Sequence, residues 1–276
     1  MPLQGSRTKA AGKSVFVIST KRRYRRQINP SVSSSVISTP SKSTVGTIQR
    51  IYGISKDVFA AATPGFVPLP SDMARLSGFL DSLMLHDIGL NATMPHFIAS
   101  PHGNPKVTYL PIADTPTLSM GVFCFPQSAM IPLHDHPGMT VFSKILLGSM
   151  HIKSYDWVIA PSASNQISRM PNGARLAKLH TDAIFDATSK TVVLYPENGG
   201  NLHCFNAMSP CAVLDVMGPP YSLEEGRDCS YFSSKVASAG AGGDGQYAWL
   251  NEVPCSIEMK VAHIYAHAPE HSVVSS

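Results

Sequence analysis

Met130-Ile131-Pro132-Leu133-His134-Asp135-His136-Pro137-Gly138-Met139 is the stretch on which the reading of this chain turns. On an extended segment side chains two apart share a face, so His134 and His136 point one way and Asp135 the other. Two imidazoles converging from one strand form a candidate metal pair. H-x-H alone is a common pair, and its setting gives it weight. The apolar run Leu118–Phe125 leads in, and Thr140–Met150 leads out through Val141, Phe142, Ile145 and Leu147. Farther on, Val192–Tyr195 and the turn Pro196–Gly200 precede Leu202-His203-Cys204-Phe205, which sets a third histidine at the head of another apolar strand.

From Lys106 onward the chain is a series of short apolar runs broken by Pro and Gly. Strands are expected at Val107–Leu110, Leu118–Phe125, Met130–His136, Val141–Leu147, Ser149–Trp157, Arg175–Thr181, Ala183–Ala187, Thr191–Tyr195, His203–Ala207 and Cys211–Met217. A last pair is expected at Tyr231–Lys235 and Tyr247–Glu252. So many short strands with turn signals between them predict an all-β sandwich or double-sheet barrel. Residues 158–174 and 237–245 read as loops. Upstream, Ile48, Ile51, Tyr52, Ile54 and Phe59 fit a helix imperfectly. A better one follows, with Ser71 as its N-cap and Met73, Leu76, Leu80, Leu83 and Met84 at helical spacing. This N-terminal part is expected to form a helical layer on the barrel.

The 276 residues suffice for one substantial core, and 43% of them are apolar. No run approaches the roughly 18 apolar residues of a membrane helix, and no membrane partner is expected. Residues 1–56 hold eleven Lys or Arg and no acid, whereas the rest of the chain carries a balance of −7. The basic pI therefore belongs to the leader, and nucleic-acid binding does not follow from it. The leader, with Lys21–Arg26 at its centre, reads as a solvated tail, a nuclear localisation patch or part of an organellar transit peptide. Five unpaired-looking cysteines without C-x-x-C spacing suggest reduced thiols. The organisation expected is a disordered basic leader at 1–44, one domain at 45–262 (helical layer 45–105, barrel 106–262) and a flexible tail at 263–276.

Three neutral imidazoles suit Fe(II), Ni, Zn or Cu(II). Several further motifs narrow the choice. The segment Met130–Thr140, followed by Gly148–Trp157, Gly200–His203, Asp215–Tyr221, Gly226–Phe232 and Tyr247–Leu250, resembles the plant cysteine oxidases and, with them, animal cysteamine dioxygenase. The resemblance covers roughly Thr47 to Glu252. It implies a cupin fold, a double-stranded β-helix barrel, and a non-haem Fe(II) held by His134, His136 and His203. It implies incorporation of both atoms of dioxygen into a thiol. For the plant enzymes the thiol is the N-terminal cysteine of target proteins, group VII ethylene-response factors among them, and the sulfinic acid feeds the N-degron pathway in oxygen sensing. On the same basis Asp215 orients the substrate amine, Tyr221 donates a hydrogen bond at the entrance, and Cys229 and Tyr231 match a pair that forms a crosslink or has a structural role. His151 and Asp156 fall in a shared motif without an evident ligand role. A monomer in nucleus and cytoplasm is expected, with organellar targeting open. Alternatives are a dioxygenase of a free small thiol such as cysteamine, a Zn or Mn cupin isomerase or hydrolase, and a non-catalytic cupin.

Overall fold

A computed structural model describes residues 42–158, 170–237, 246–255 and 257–262. Most of the leader, all of 263–276 and much of both expected loops lie outside the described residues.

The first helix, α1 (Lys42–Val58), begins inside the stretch assigned to the leader. Its buried positions Thr44, Ile51, Ser55 and Val58 fall on one stripe at helical spacing. Helix α2 spans Pro70–Asp81, and its N-cap is Leu69, with no side-chain cap, instead of Ser71. Proline explains the difference: Pro70 occupies the first helical position, where its fixed φ suits the helix and its missing N–H costs nothing. Leu76 and Leu80 are fully buried, as the spacing predicts. Met84 is not, because the helix ends at Asp81 and Met84 opens a separate 3-10 turn at Leu85–Ile88.

Twelve strands follow among the described residues. One sheet runs β12 (Lys260–Val261), β1 (Thr108–Asp114), β2 (Ser119–Phe125), β9 (Cys211–Gly218), β4 (Thr140–Leu147), β7 (Val192–Leu194). The other six close into a barrel in the order β10 (Tyr231–Val236), β11 (Tyr247–Val253), β6 (Arg175–Asp186), β5 (Ser149–Trp157), β8 (Leu202–Ala207), β3 (Met130–His134). The pairing is antiparallel except between β1 and β12. This is the expected cupin-like barrel with two helices ahead of it. Among the described residues no helix is long and apolar enough to cross a membrane.

Two expected strands, Arg175–Thr181 and Ala183–Ala187, form the single strand β6. Asp182 looked like a break; here it pairs with Lys153 at 2.8 Å and His151 at 2.6 Å across the ladder. The register slips by one residue between Ser154 and Tyr155, which accommodates His180 as a bulge.

Strand β9 is buried at every position and β4 at all but its last. A strand covered on both faces must be almost continuously apolar, and the two covers are the helical layer and the barrel interior. Phe142 of β4 meets Phe59 edge-on at 6.0 Å, in a cluster that also holds Leu76, Leu80 and Val216. The segment between the helices also grips the chain just after the histidine pair. Gly65 N–H donates to the Gly138 carbonyl at 2.8 Å, and the Thr140 hydroxyl donates to the Phe66 carbonyl at 2.6 Å. The helical layer thus fixes the turn that carries His136. Phe142→Ala should cost about 3–5 kcal/mol of stability, read from urea unfolding; a loss under about 1 kcal/mol would mean that the helices do not share this core.

Candidate metal centre

Strand β3 stops at His134, two residues short of the expected end. Asp135 leaves the ladder to exchange hydrogen bonds with Ser230: its N–H donates to the Ser230 carbonyl at 3.2 Å, and its Oδ1 accepts from Ser230 N–H at 2.9 Å. Pro137 then cannot donate, and Gly138 turns the chain at φ 69°. His136 therefore sits past the strand end, yet it still converges with its neighbour. His203, on β8, faces His134 directly across the ladder.

The three rings stand 4.9, 4.7 and 4.8 Å apart, centroid to centroid, in a near-equilateral triangle. One nitrogen from each lies within 4.8 Å of the others. All three are buried, with 7, 2 and 2% of their surface exposed for His134, His136 and His203. His134 Nδ1–H donates to the Pro132 carbonyl at 2.9 Å and His136 Nδ1–H to the Asn201 carbonyl at 3.1 Å. Each is thereby left with a bare Nε2 lone pair. His203 Nε2 is buried with no hydrogen-bond partner. Burial holds His134 down to about 4, His136 to about 3 and His203 well below its ordinary value; the neighbouring imidazoles depress the last two further. The rings are neutral at physiological pH, the state a metal requires.

An orphaned buried nitrogen beside two lone pairs is costly unless a cation occupies the centre. Three neutral imidazole donors without a carboxylate fit Fe(II). Asp135 stays out of the triad, its carboxylate engaged by Ser230, as its place between the histidines predicted.

Support comes from residues whose part spacing did not reveal. Asn201 Oδ1 accepts from His136 N–H at 3.1 Å, while its Nδ2 donates to the Tyr195 carbonyl at 2.7 Å. Asp156 Oδ1 accepts from the N–H groups of Gly200 and Asn201 at 2.8 and 3.2 Å. Asp156 therefore sets the turn ahead of His203. His151 instead pairs with Asp182 at the surface. Asn201 lay within the shared Gly200–His203 motif, but its spacing gave no sign of this supporting part. Cys204 turns away and lies 3.6 Å from the Lys153 carbonyl.

A cavity of about 140 Å³ opens beside the triad, lined by His134 and His136 with Asp215, Tyr109, Phe205 and Tyr221 among others. Asp215 is 2% exposed, and its Oδ1 has no partner. Burial raises its carboxyl to about 7, partly offset by a hydrogen bond with Ser143. Gly121 faces Asp215 across the ladder, and a Cβ there would come within 2.4 Å of the Tyr109 ring. Glycine thus lets Tyr109 lie over the sheet next to the carboxylate, a contact invisible in sequence. Tyr221, 5.8 Å from the His136 ring, donates its hydroxyl to the Asp135 carbonyl at 2.8 Å. That proton, expected to serve a substrate, secures the backbone between the two histidines. Cys229 and Tyr231 both line the cavity, and the Tyr231 ring stands 6.0 Å from that of His134. His86, His96, His102 and His180 lie outside the triad; His263, His267 and His271 fall outside the described residues.

Asn201→Ala should weaken metal binding by about 10- to 100-fold without unfolding the barrel, measured by anaerobic equilibrium titration with Fe(II). Unchanged affinity would remove Asn201 from the support of His136.

Comparison with known proteins agrees with this geometry. The PCO_ADO family profile matches residues 79–270. Plant cysteine oxidase 1 of Arabidopsis thaliana is 43% identical over 221 residues, covering 74% of this chain and 73% of that protein. Plant cysteine oxidase 2 of the same plant is 44% identical over 236 residues, covering 81% and 83%. Human 2-aminoethanethiol dioxygenase is 31% identical over 215 residues, covering 71% and 78%. With its cupin barrel and buried three-histidine site, the chain belongs to the PCO_ADO family and is a non-haem Fe(II) thiol dioxygenase of the plant cysteine oxidase type.

Proposed function

We propose that the site oxidises a cysteine at the N-terminus of a peptide or protein to cysteine sulfinic acid. The observation that carries this reading is the unpartnered Oδ1 of Asp215, buried in the same small cavity as the metal ligands. A carboxylate in that position calls for a cation, and an N-terminal cysteine brings an α-ammonium two carbons from its sulfur. The reaction balances without an external reductant: the S–H bond is lost, both atoms of one dioxygen end on sulfur, and the proton ends on the sulfinic acid.

Fe(II), when bound by His134, His136 and His203, would bring thiolate and dioxygen together and pass electrons from sulfur, the net four-electron donor, to oxygen. The chain supplies orientation and exclusion. Asp215 holds the ammonium, which fixes where the sulfur lies. Phe123, Ile131 and Phe205 wall the cavity with apolar surface. Tyr221, through the Asp135 carbonyl, keeps the two ligands of the H-x-H pair in place.

Protein substrates with basic residues near their start suit a body whose residues 57–276 carry −7. Group VII ethylene-response factors, degraded through the N-degron pathway as an oxygen readout in nucleus and cytoplasm, are the substrates this reading favours. A second reading, oxidation of a free aminothiol such as cysteamine, rests on the same carboxylate, since cysteamine carries the same two groups.

The test is anaerobic loading with Fe(II), then exposure to oxygen with a peptide bearing a free N-terminal cysteine, read by mass spectrometry. Addition of two oxygens to that cysteine, abolished by His203→Ala, is expected. Turnover of cysteamine with none of the peptide would replace the first reading by the second. Asp215→Asn should lower kcat/KM by about 10- to 100-fold, the loss of a charge-assisted hydrogen bond, and an N-acetylated peptide should mimic that loss in the parent enzyme. Because Asp215 must be ionised to hold an ammonium and burial raises it to about 7, KM should rise as pH falls below that value. A dication in the pocket pulls the carboxyl down and moves the rise to lower pH without changing its sign. A pH profile unaltered by Asp215→Asn would exclude the carboxylate from substrate binding.

A further inference from the structure

Along the β10–β11 ladder one register holds throughout, from Val236 opposite Ala248 to Tyr231 opposite Val253. The ladder ends at Tyr231 and Val253; extended by two residues, the same register would put Cys229 opposite Cys255, on the face that carries Tyr231. Burial raises the Tyr231 hydroxyl above its ordinary value, and both thiols lie close enough to raise it further, in keeping with that placement. Cys229 also reaches Tyr221 and lines the metal cavity. Facing strand positions lie about 4.5–5.5 Å apart at Cα, inside the ~4.4–6.8 Å span of a disulfide. Both thiols are only half-buried, whereas Cys124 and Cys211 are buried.

We propose that Cys229 and Cys255 form a reversible disulfide at the edge of the metal cavity, closed by exchange with a low-molecular-weight disulfide and reopened by a thiol. In the first exchange the Cys255 sulfur attacks the small disulfide, making a mixed disulfide and releasing one small thiol. The Cys229 sulfur then attacks the Cys255 sulfur and releases the second. Two protein thiols are oxidised, one small disulfide is reduced to two thiols, and the two protein protons end on the thiols released. Burial pushes the Cys229 thiol up to about 12, which makes it the poorer first attacker. As resolving thiol it acts within the chain, where proximity compensates.

Closure removes both thiol partners of Tyr231, whose ring stands 6.0 Å from His134, and draws Cys229 toward β11, away from Tyr221. Turnover of an aminothiol substrate therefore falls on oxidation. That consequence rests on the proposed reaction; the bond itself does not.

The full-length protein is equilibrated with mixtures of reduced and oxidised glutathione, alkylated and cut with trypsin. Peptides 228–235 and 236–260 should appear linked, two hydrogens lighter than their sum, and separate with dithiothreitol. Cys255→Ser should abolish the linked species, keep full turnover under reducing conditions and resist the several-fold loss of turnover that oxidation causes in the parent. Failure to link at a glutathione ratio that modifies either thiol singly would overturn the disulfide. So would a loss of two hydrogens confined to peptide 228–235 and resistant to dithiothreitol, which marks a thioether between Cys229 and Tyr231. Equal inactivation of Cys255→Ser by oxidation would overturn its effect on turnover. A linked peptide in protein that turns over no thiol at all would sink the proposed reaction and leave the disulfide standing.

Discussion

Three neutral imidazoles with lone pairs aimed at one dry point form the constraint on which the rest of this structure depends. Nitrogen acceptors out of water and without donors are unfavourable in the metal-free protein, and nothing in the triad relieves them. His203 Nε2 is left bare, and the other two rings are held by Pro132 and Asn201 in the tautomer that keeps Nε2 bare. The surrounding chain over-determines this arrangement. Asp156 holds the turn before His203, Asn201 ties that turn to His136, and Tyr221 braces the carbonyl between His136 and His134. Helix-to-helix residues far upstream grip Gly138 and Thr140.

That bracing explains why the polar groups of the barrel interior are few and committed. Strand β9 offers one carboxylate in a wholly buried stretch, Asp215, and the facing position on β2 is a glycine. Any larger residue there would push the Tyr109 ring away from its place over the sheet. The carboxylate is thus placed by what is absent opposite it as much as by its own strand. Lys144, buried on β4, is by contrast satisfied by the carbonyls of Ala187 and Ser189 and ties the β6–β7 turn to the sheet.

The ligands and the barrel were legible because both leave local marks: H-x-H on a strand, a third histidine opening another, and short apolar runs between turn residues. Asp215 was marked only by the family resemblance, not by spacing or periodicity. What escaped was set by partners distant in sequence. Asp182 reads as a break until Lys153 and His151 are seen beside it, and Ser71 reads as a cap until Pro70 takes the first helical position. Asn201, Tyr109 and Cys255 carry no periodicity that marks them, since each matters through one contact across the fold. The Tyr221 hydroxyl was assigned outward to a substrate and turns inward to the backbone.

Charge accounting within the cavity links the two halves of the site. With neutral imidazoles a dication brings +2, and an ionised Asp215 brings −1. A substrate that binds as thiolate and ammonium together adds no net charge. In the proposed reaction each of its ends would meet its complement, sulfur at the metal and nitrogen at the carboxylate. On that reading a thiol without an amine would leave Asp215 buried and unpaired, and burial, which raises its carboxyl to about 7, disfavours the ionised form. The carboxyl would then have to take up a proton, at a cost that grows with pH. On the proposed reaction, the solvation of this one buried carboxylate would favour an aminothiol over a simple thiol.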